Sequence, residues 1–594
     1  MFPTLFWDTA RAFHLAYVGR KLSKIMLIRL PPISDFIDSR WELVQPSYQN
    51  LLDQPINDRN VTDWLTTWSE LRKLVDETYA RLQLANALDT TDVEAEKRFY
   101  TFLNEAYPQI QAFDQRLKEK FLASDLAPDG MEVPLHRMRA EADLFREENL
   151  PLITQERMLG SAYNKILGAQ TVEWWGEQIT LVQLRARTQT PDRGVRQRAW
   201  QLASERQLAD REAINDLWVQ VLGVRRQMAA NANLPDYRAY RWWQLYRFDY
   251  SPEDCRQFRE AIEQVVVPAT HRIYEKHRQR LGVDKLRPWD LQNERETMRF
   301  PPLRAYESVE QFETVAGVIF QRVDPQLGAY FETMRKRDLL DLENRAGKGA
   351  GGFCTSFATQ GVPFIFMNAV GLETDVRTLL HEAGHAFHVF ERTLLPYHHQ
   401  WRPGVEFAEV ASTAMEFLTA PYLPAGQGGF FNDADAARFR LQHLENKILF
   451  WPYMAVVDAF QDWVYTHPDA AENPANCDAQ WGELIERFIP AVDWSGLQDA
   501  KLTGWQRKLH IHRYPFYYIE YGLALLGAVQ VWANALQDQA KAVADYRTAL
   551  ALGTTVSIPE LYAAAGAKFA FDAGTLGEAV VLMESTMAEL EAIS

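Results

Sequence analysis

Cysteine is scarce: Cys255, Cys354 and Cys477 are the only three in 594 residues. An odd, widely spaced trio makes no disulfide framework and points to a reducing, cytoplasmic setting. Basic residues are outnumbered, 63 Lys and Arg against 79 Asp and Glu, for a net charge of −16. That balance repels phosphate backbones and anionic lipid and argues against nucleic acid as a partner. No run of about 18 consecutive apolar residues occurs, so no membrane partner is expected. Long Gly/Ser-rich or Pro-rich tracts and internal repeats are missing too, and 47% apolar with 12% aromatic residues describe a continuous globular body. The first 25 residues are basic (Arg11, Arg20, Lys21, Lys24) and nearly free of acids. Their apolar stretch is interrupted and no small-residue cleavage site follows, so of two readings, a targeting segment or an extension ahead of a start at Met26, the extension 1–25 is the simpler.

A chain of this length exceeds a single core. We divide it into the extension 1–25, an N-terminal helical domain 26–190 and a catalytic domain 191–594. Residues 61–84, 92–121, 171–187 and 193–231 carry helix formers with apolar residues at three-to-four spacing, and Pro134, Pro151 and Pro191 mark joints. Residues 233–250 read as a connection, Ser251 as a helix cap, and 287–303 as a loop before helices resume to about Leu340. Residues 353–357 and 364–367, bounded by Gly and Pro, read as two strands forming the one substantial sheet. Helix returns after Asp375. The fold class is therefore mainly α, with a small β-sheet beside the motif helix.

That motif is His381-Glu-x-x-His385. On a helix, residues four apart share a face, so both imidazoles can reach one zinc ion at about 2 Å. Glu382 projects roughly 100° away, where it can act on a water instead of the metal. Val376, Leu379, Leu380, Ala383, Phe387 and Phe390 give the helix a face to bury. A catalytic zinc usually takes three protein ligands. His388 lies about 10 Å from His381 along the axis, too far to converge, and reads as a packing or supporting residue. After Pro396 and Pro403-Gly404 a second helix carries Glu406, Glu409 and Glu416 opposite its apolar stripe. Spacing does not choose among these three, nor does it say whether Asp375, Glu406 or Glu416 supports the histidines.

His381-Glu-x-Gly-His385 followed by Phe407-Ala-Glu409-Val-Ala-Ser412 resembles the thimet oligopeptidase and oligoendopeptidase F family of zinc peptidases, the oligoendopeptidase F branch more closely. Lys348-Gly-Ala-Gly-Gly-Phe-Cys-Thr-Ser-Phe357, Pro363-Phe-Ile, and His510-Ile-His-Arg-Tyr-Pro-Phe-Tyr-Tyr-Ile-Glu-Tyr521 extend the likeness. The resemblance implies Glu409 as third ligand to one Zn2+ per chain. It also implies Glu382 as general base, and His510 with one or more of Tyr514, Tyr517 and Tyr521 as donors to the oxyanion, His512 being a weaker candidate. It implies a deep channel admitting oligopeptides and excluding folded proteins. In thimet-type members a glycine-rich loop precedes the late tyrosines, where this chain has Arg513 and Pro515. The expected activity is cleavage of internal bonds in short peptides. The alternatives are a zinc carboxypeptidase, a zinc-stabilised scaffold, or a protein that binds peptides without cutting them. Composition leaves the oligomeric state open.

Overall fold

The computed structural model describes residues 41–187, 190–291 and 303–593. The extension 1–25 and most of the loop expected at 287–303 lie outside these residues. Helices dominate. Helix α1 (Val61–Leu88) buries Trp64, Trp68, Leu71 and Val75, a series at four, three and four that keeps one stripe on the core. Residues 93–122 form a helical segment that widens into a π turn at Phe102–Ala106. Pro108 lacks the N–H that would bond the carbonyl four residues back, which relaxes the ladder there.

Three helical expectations are corrected. Residues 171–187 do not form one helix: strand β1 (Thr171–Trp174) pairs antiparallel with β2 (Glu177–Thr180), and a helix begins only at Leu181. Trp175 and Gly176 both take positive φ, +50° and +88°, the two-residue turn whose twist suits a hairpin. Residues 193–231 split into Arg193–Leu208 and Arg211–Asn231. The connection at 233–250 contains a helix, Tyr237–Gln244, started by the Asp236 carboxylate accepting the Ala239 N–H.

The sheet expected as two strands has three, in the order β3-β5-β4. Strand β3 (Leu340–Glu343) is parallel to β5 (Val362–Ala369), while β4 (Phe353–Phe357) pairs antiparallel with β5 through Cys354↔Ile365 and Thr355↔Phe364. Four residues at the end of a helical run are too few to show a period of two, which hid β3. Strand β5 is central and almost wholly buried. Strand β4 is an edge.

After the sheet, helix α2 (Glu373–Arg392) lies beneath it, and helices α3 (Val405–Leu418), α4 (Asp433–Thr466) and α5 (Tyr518–Gln537) complete the core. Asp375 starts α2, its carboxylate accepting the N–H groups of Val370, Gly371 and Leu372 and the Tyr306 hydroxyl. Helices α2 and α3 touch at Gly384, where a Cβ would lie 2.4 Å from the Ala411 carbonyl oxygen and 2.6 Å from the Ser412 Cα. Only glycine permits that approach. One expectation about hydropathy also changes: α5 is long and apolar enough to cross a membrane, with mean hydropathy 1.2, although 72% of that stretch is buried inside the protein. It packs against α3 and α4 as a core helix.

Candidate metal centre

Close contact at Gly384 turns the polar stripe of α3 onto the histidines of α2. Glu409 Oε2 lies 3.5 Å from His381 Nε2 and 3.9 Å from His385 Nε2. The three donor atoms are all within 4.8 Å of one another. Two bonds of about 2.1 Å at a tetrahedral angle separate donors by about 3.4 Å, so one zinc fits this trio with small adjustments. Two imidazoles and a carboxylate are a donor set zinc accepts.

The other glutamates have different duties. Glu416 takes His381 Nδ1 at 2.8 Å, His443 Nε2 at 2.7 Å and Lys447 Nζ at 3.0 Å. With Nδ1–H donated to Glu416, the His381 lone pair is left on Nε2, facing Glu409. Glu406 instead accepts the Tyr250 hydroxyl at 2.7 Å, away from the histidines. His443 and Lys447 escaped sequence reading; a histidine and a lysine four apart on one face of α4 were the available signal. Ser412 Oγ, 3.1 Å from Glu409 Oε2, was missed likewise.

Charge at the site follows from burial and these contacts. Burial alone would raise Glu409, but hydrogen bonding to His381 and the nearby His385 and Ser412 hold it down at about 2. Burial would likewise raise Glu416, yet Lys447 and the two histidines keep it well below the ordinary carboxylate range. His385, driven down to about 4 by burial, is neutral, the form a metal ion binds. Burial also favours neutral His381, but hydrogen bonds to Glu409 and Glu416 prevail and carry it up to about 10. A divalent ion at Nε2 would take that proton's place. Glu382 is pushed up to about 7 by burial, with His381 and a hydrogen bond from the Cys354 N–H opposing the rise. A carboxyl poised there can both take and return a proton near neutrality.

His388 is 2% exposed and packs its ring against Phe407. His510 sits among four tyrosines, its ring 4.7 Å from Tyr518, 6.2 Å from Tyr521 and 6.3 Å from both Tyr514 and Tyr517. Tyr517 packs edge-on against Tyr521 with ring centroids 5.4 Å apart, and its hydroxyl is raised by burial, then by Tyr521 and Glu409. Tyr517 is thus in electrostatic reach of the candidate ligands, whereas Tyr514 is 43% exposed. His512 is buried, stacked on Tyr163 and Trp505. The turn before α5 is made at Phe516, whose φ of +64° is costly for a side chain of its size. Gln461 accepts the Phe516 N–H at 2.8 Å and Arg247 binds its carbonyl, and together they hold the turn that presents Tyr517.

Comparison with known proteins gives the same neighbourhood. The profile of peptidase family M3 matches residues 186–579. An oligoendopeptidase F homolog of Lactococcus lactis subsp. lactis (strain IL1403) is 24% identical over 352 residues, which are 56% of this chain and 53% of that protein. The plasmid oligoendopeptidase F of Lactococcus lactis subsp. cremoris is 24% identical over 350 residues. The chain spans about half the length of these curated relatives. Among solved structures, PZ peptidase A with an inhibitor superimposes with a TM-score of 0.81 at 26% identity, covering 95% of this chain and 99% of that one. The oligoendopeptidase-F of Enterococcus faecium, at 15% identity, shares the fold with a TM-score of 0.59, covering 95% and 99% of the two chains.

Proposed function

Because the chain belongs to peptidase family M3, we propose that it is a zinc-dependent endopeptidase acting on short peptides. The observation that carries this reading is the convergence of His381, His385 and Glu409 with a buried carboxyl, Glu382, beside them. A scaffold that only binds metal has no need of Glu382.

Zinc held by those three residues would polarise the scissile carbonyl and make a water more acidic. Glu382 takes the water's proton as attack begins and returns it to the leaving nitrogen, so that no amide anion is expelled. Tyr517, supported by Tyr521 and His510, donates a hydrogen bond to the oxygen on which negative charge grows. A phenol whose pKa is raised stays protonated and can play that part throughout. Glu416 keeps the His381 ring in its ligand tautomer.

Edge strand β4 offers main-chain groups to an extended peptide, which gives broad sequence tolerance. Helix α1 covers this strand: Glu77 accepts the Thr359 N–H at 2.7 Å and Arg81 stacks over Phe357 at 4.0 Å. This supports a channel walled by N-terminal helices that admits oligopeptides and excludes folded proteins. The test is hydrolysis of an internally quenched peptide blocked at both ends, with and without a chelator. Chelator-sensitive cleavage is expected; cleavage only of peptides with a free C-terminus identifies a carboxypeptidase, and binding without turnover refutes the reading.

A further inference from the structure

The last turn of α2 carries a cation with no acidic partner among the described residues. Arg392 has no hydrogen-bond or ion-pair partner for its side chain among the described residues, and its Nε is buried without an acceptor. Three arginines buried more deeply are each matched by a carboxylate: Arg225 by Glu156, Arg247 by Glu520, Arg259 by Asp458. The carboxylate in its vicinity, Asp76, is already engaged by Arg72, Arg402 and His398. Burial, followed by repulsion from Arg402, lowers Arg392 to about 10, so at neutral pH it is still charged. A half-buried guanidinium whose Nε is desolvated without an acceptor is costly unless something arrives to meet it.

Its position says what arrives. Arg392 follows His385 by seven residues, hence lies on the same face of α2, about 10 Å further along the axis. Its charge is felt at His385, His388 and Cys354. Strand β4 runs alongside α2 in the same direction. Gly352 abuts Thr378, the Cys354 N–H meets Glu382, and Gly361 after the strand abuts Thr393. A peptide extended along this edge advances about 3.3 Å per residue, so Arg392 lies about three residues from a bond placed at the metal ligands.

We infer that Arg392 is a specificity-determining residue that binds a carboxylate carried by the peptide about three residues from the scissile bond. The inference rests on the peptidase reading above. Guanidinium and carboxylate match as a two-pronged, charge-assisted pair, which also fixes register on a strand edge that by itself would let the peptide slide. A peptide antiparallel to β4 brings an acidic side chain from the N-terminal side of the bond. A parallel one brings its own C-terminal carboxylate.

Three forms of one peptide separate these sources: a parent with an acidic residue three before the cleaved bond and a free C-terminus three after it, the same peptide with the acidic residue amidated, and the same with the C-terminus amidated. The measurements are kcat/KM for each, with products identified by mass spectrometry. For the wild type, loss of the correct carboxylate lowers kcat/KM by about 10- to 100-fold, chiefly through KM. In Arg392→Gln the acid and amide forms converge, while Arg392→Lys keeps part of the preference. The inference is overturned if the wild type cuts all three forms equally, a result that needs no variant, or if Arg392→Gln keeps the wild-type ratio. If none is cut by the zinc-loaded enzyme, the peptidase reading itself fails and takes this one with it.

Discussion

Replacing Gly384 by alanine adds one methyl group at the tightest point between α2 and α3. Its carbon would sit 2.4 Å from the Ala411 carbonyl oxygen and 2.6 Å from the Ser412 Cα, where ordinary contact begins at 3.4 Å. Both obstacles are backbone, so the helices must part by about 1 Å. Glu409 rides on α3, and its 3.5 and 3.9 Å distances to the two histidines would open towards about 4.5–5 Å, so that both exceed the about 3.4 Å of a tetrahedral zinc site by an ångström or more, with backbone blocking the closure. One ligand is then lost. Alanine improves helix propensity by about 1 kcal/mol, whereas overpacking costs about 1–3 kcal/mol, so melting temperature falls modestly while zinc affinity falls strongly. Competition with a chromophoric chelator measures the affinity and circular dichroism the melting. A Gly384→Ala protein binding zinc within twofold of wild type would refute the claim that this contact positions the third ligand.

Other perturbations bear on separate parts of the argument. Glu416→Gln should weaken zinc binding by about 10- to 100-fold, because the amide cannot accept from His381, His443 and Lys447 together; chelator competition reads this, and unchanged affinity would remove Glu416 from the account. Glu382→Gln should retain zinc and lose about 10²- to 10⁴-fold in kcat, whereas Glu409→Ala should emerge from purification with little metal by atomic absorption. Tyr517→Phe should lower kcat more than Tyr514→Phe does, and the reverse order would return the oxyanion role to the exposed ring. Asp76 is held far below the usual carboxylate range because Arg72 and Arg402 outweigh its burial. A depressed folded pKa contributes stability above about pH 4 that is lost as pH falls. Asp76→Asn should therefore melt lower than wild type at pH 7, and the gap should shrink towards pH 3.

His381, Glu382 and His385 were legible because their spacing is a property of one helix, which needs no knowledge of neighbours. Glu406, Glu409 and Glu416 were equally legible as a stripe, and equally ambiguous. They point from one helix towards three surroundings, to Tyr250, to the histidine pair and to His443 with Lys447. The hairpin at 171–180 was missed because its apolar positions fit a helical period as well as a strand's, and only the paired positive φ of Trp175 and Gly176 decides between them.

By itself the sequence determined a helix-rich body with two imidazoles and a carboxyl on one turn, since hydrophobic period and i to i+4 spacing act within a few residues. Tertiary structure decided which acid joins them and what the two neighbouring glutamates bind instead. Those depend on how closely two backbones may pass, and that distance is set by residues far apart in the chain.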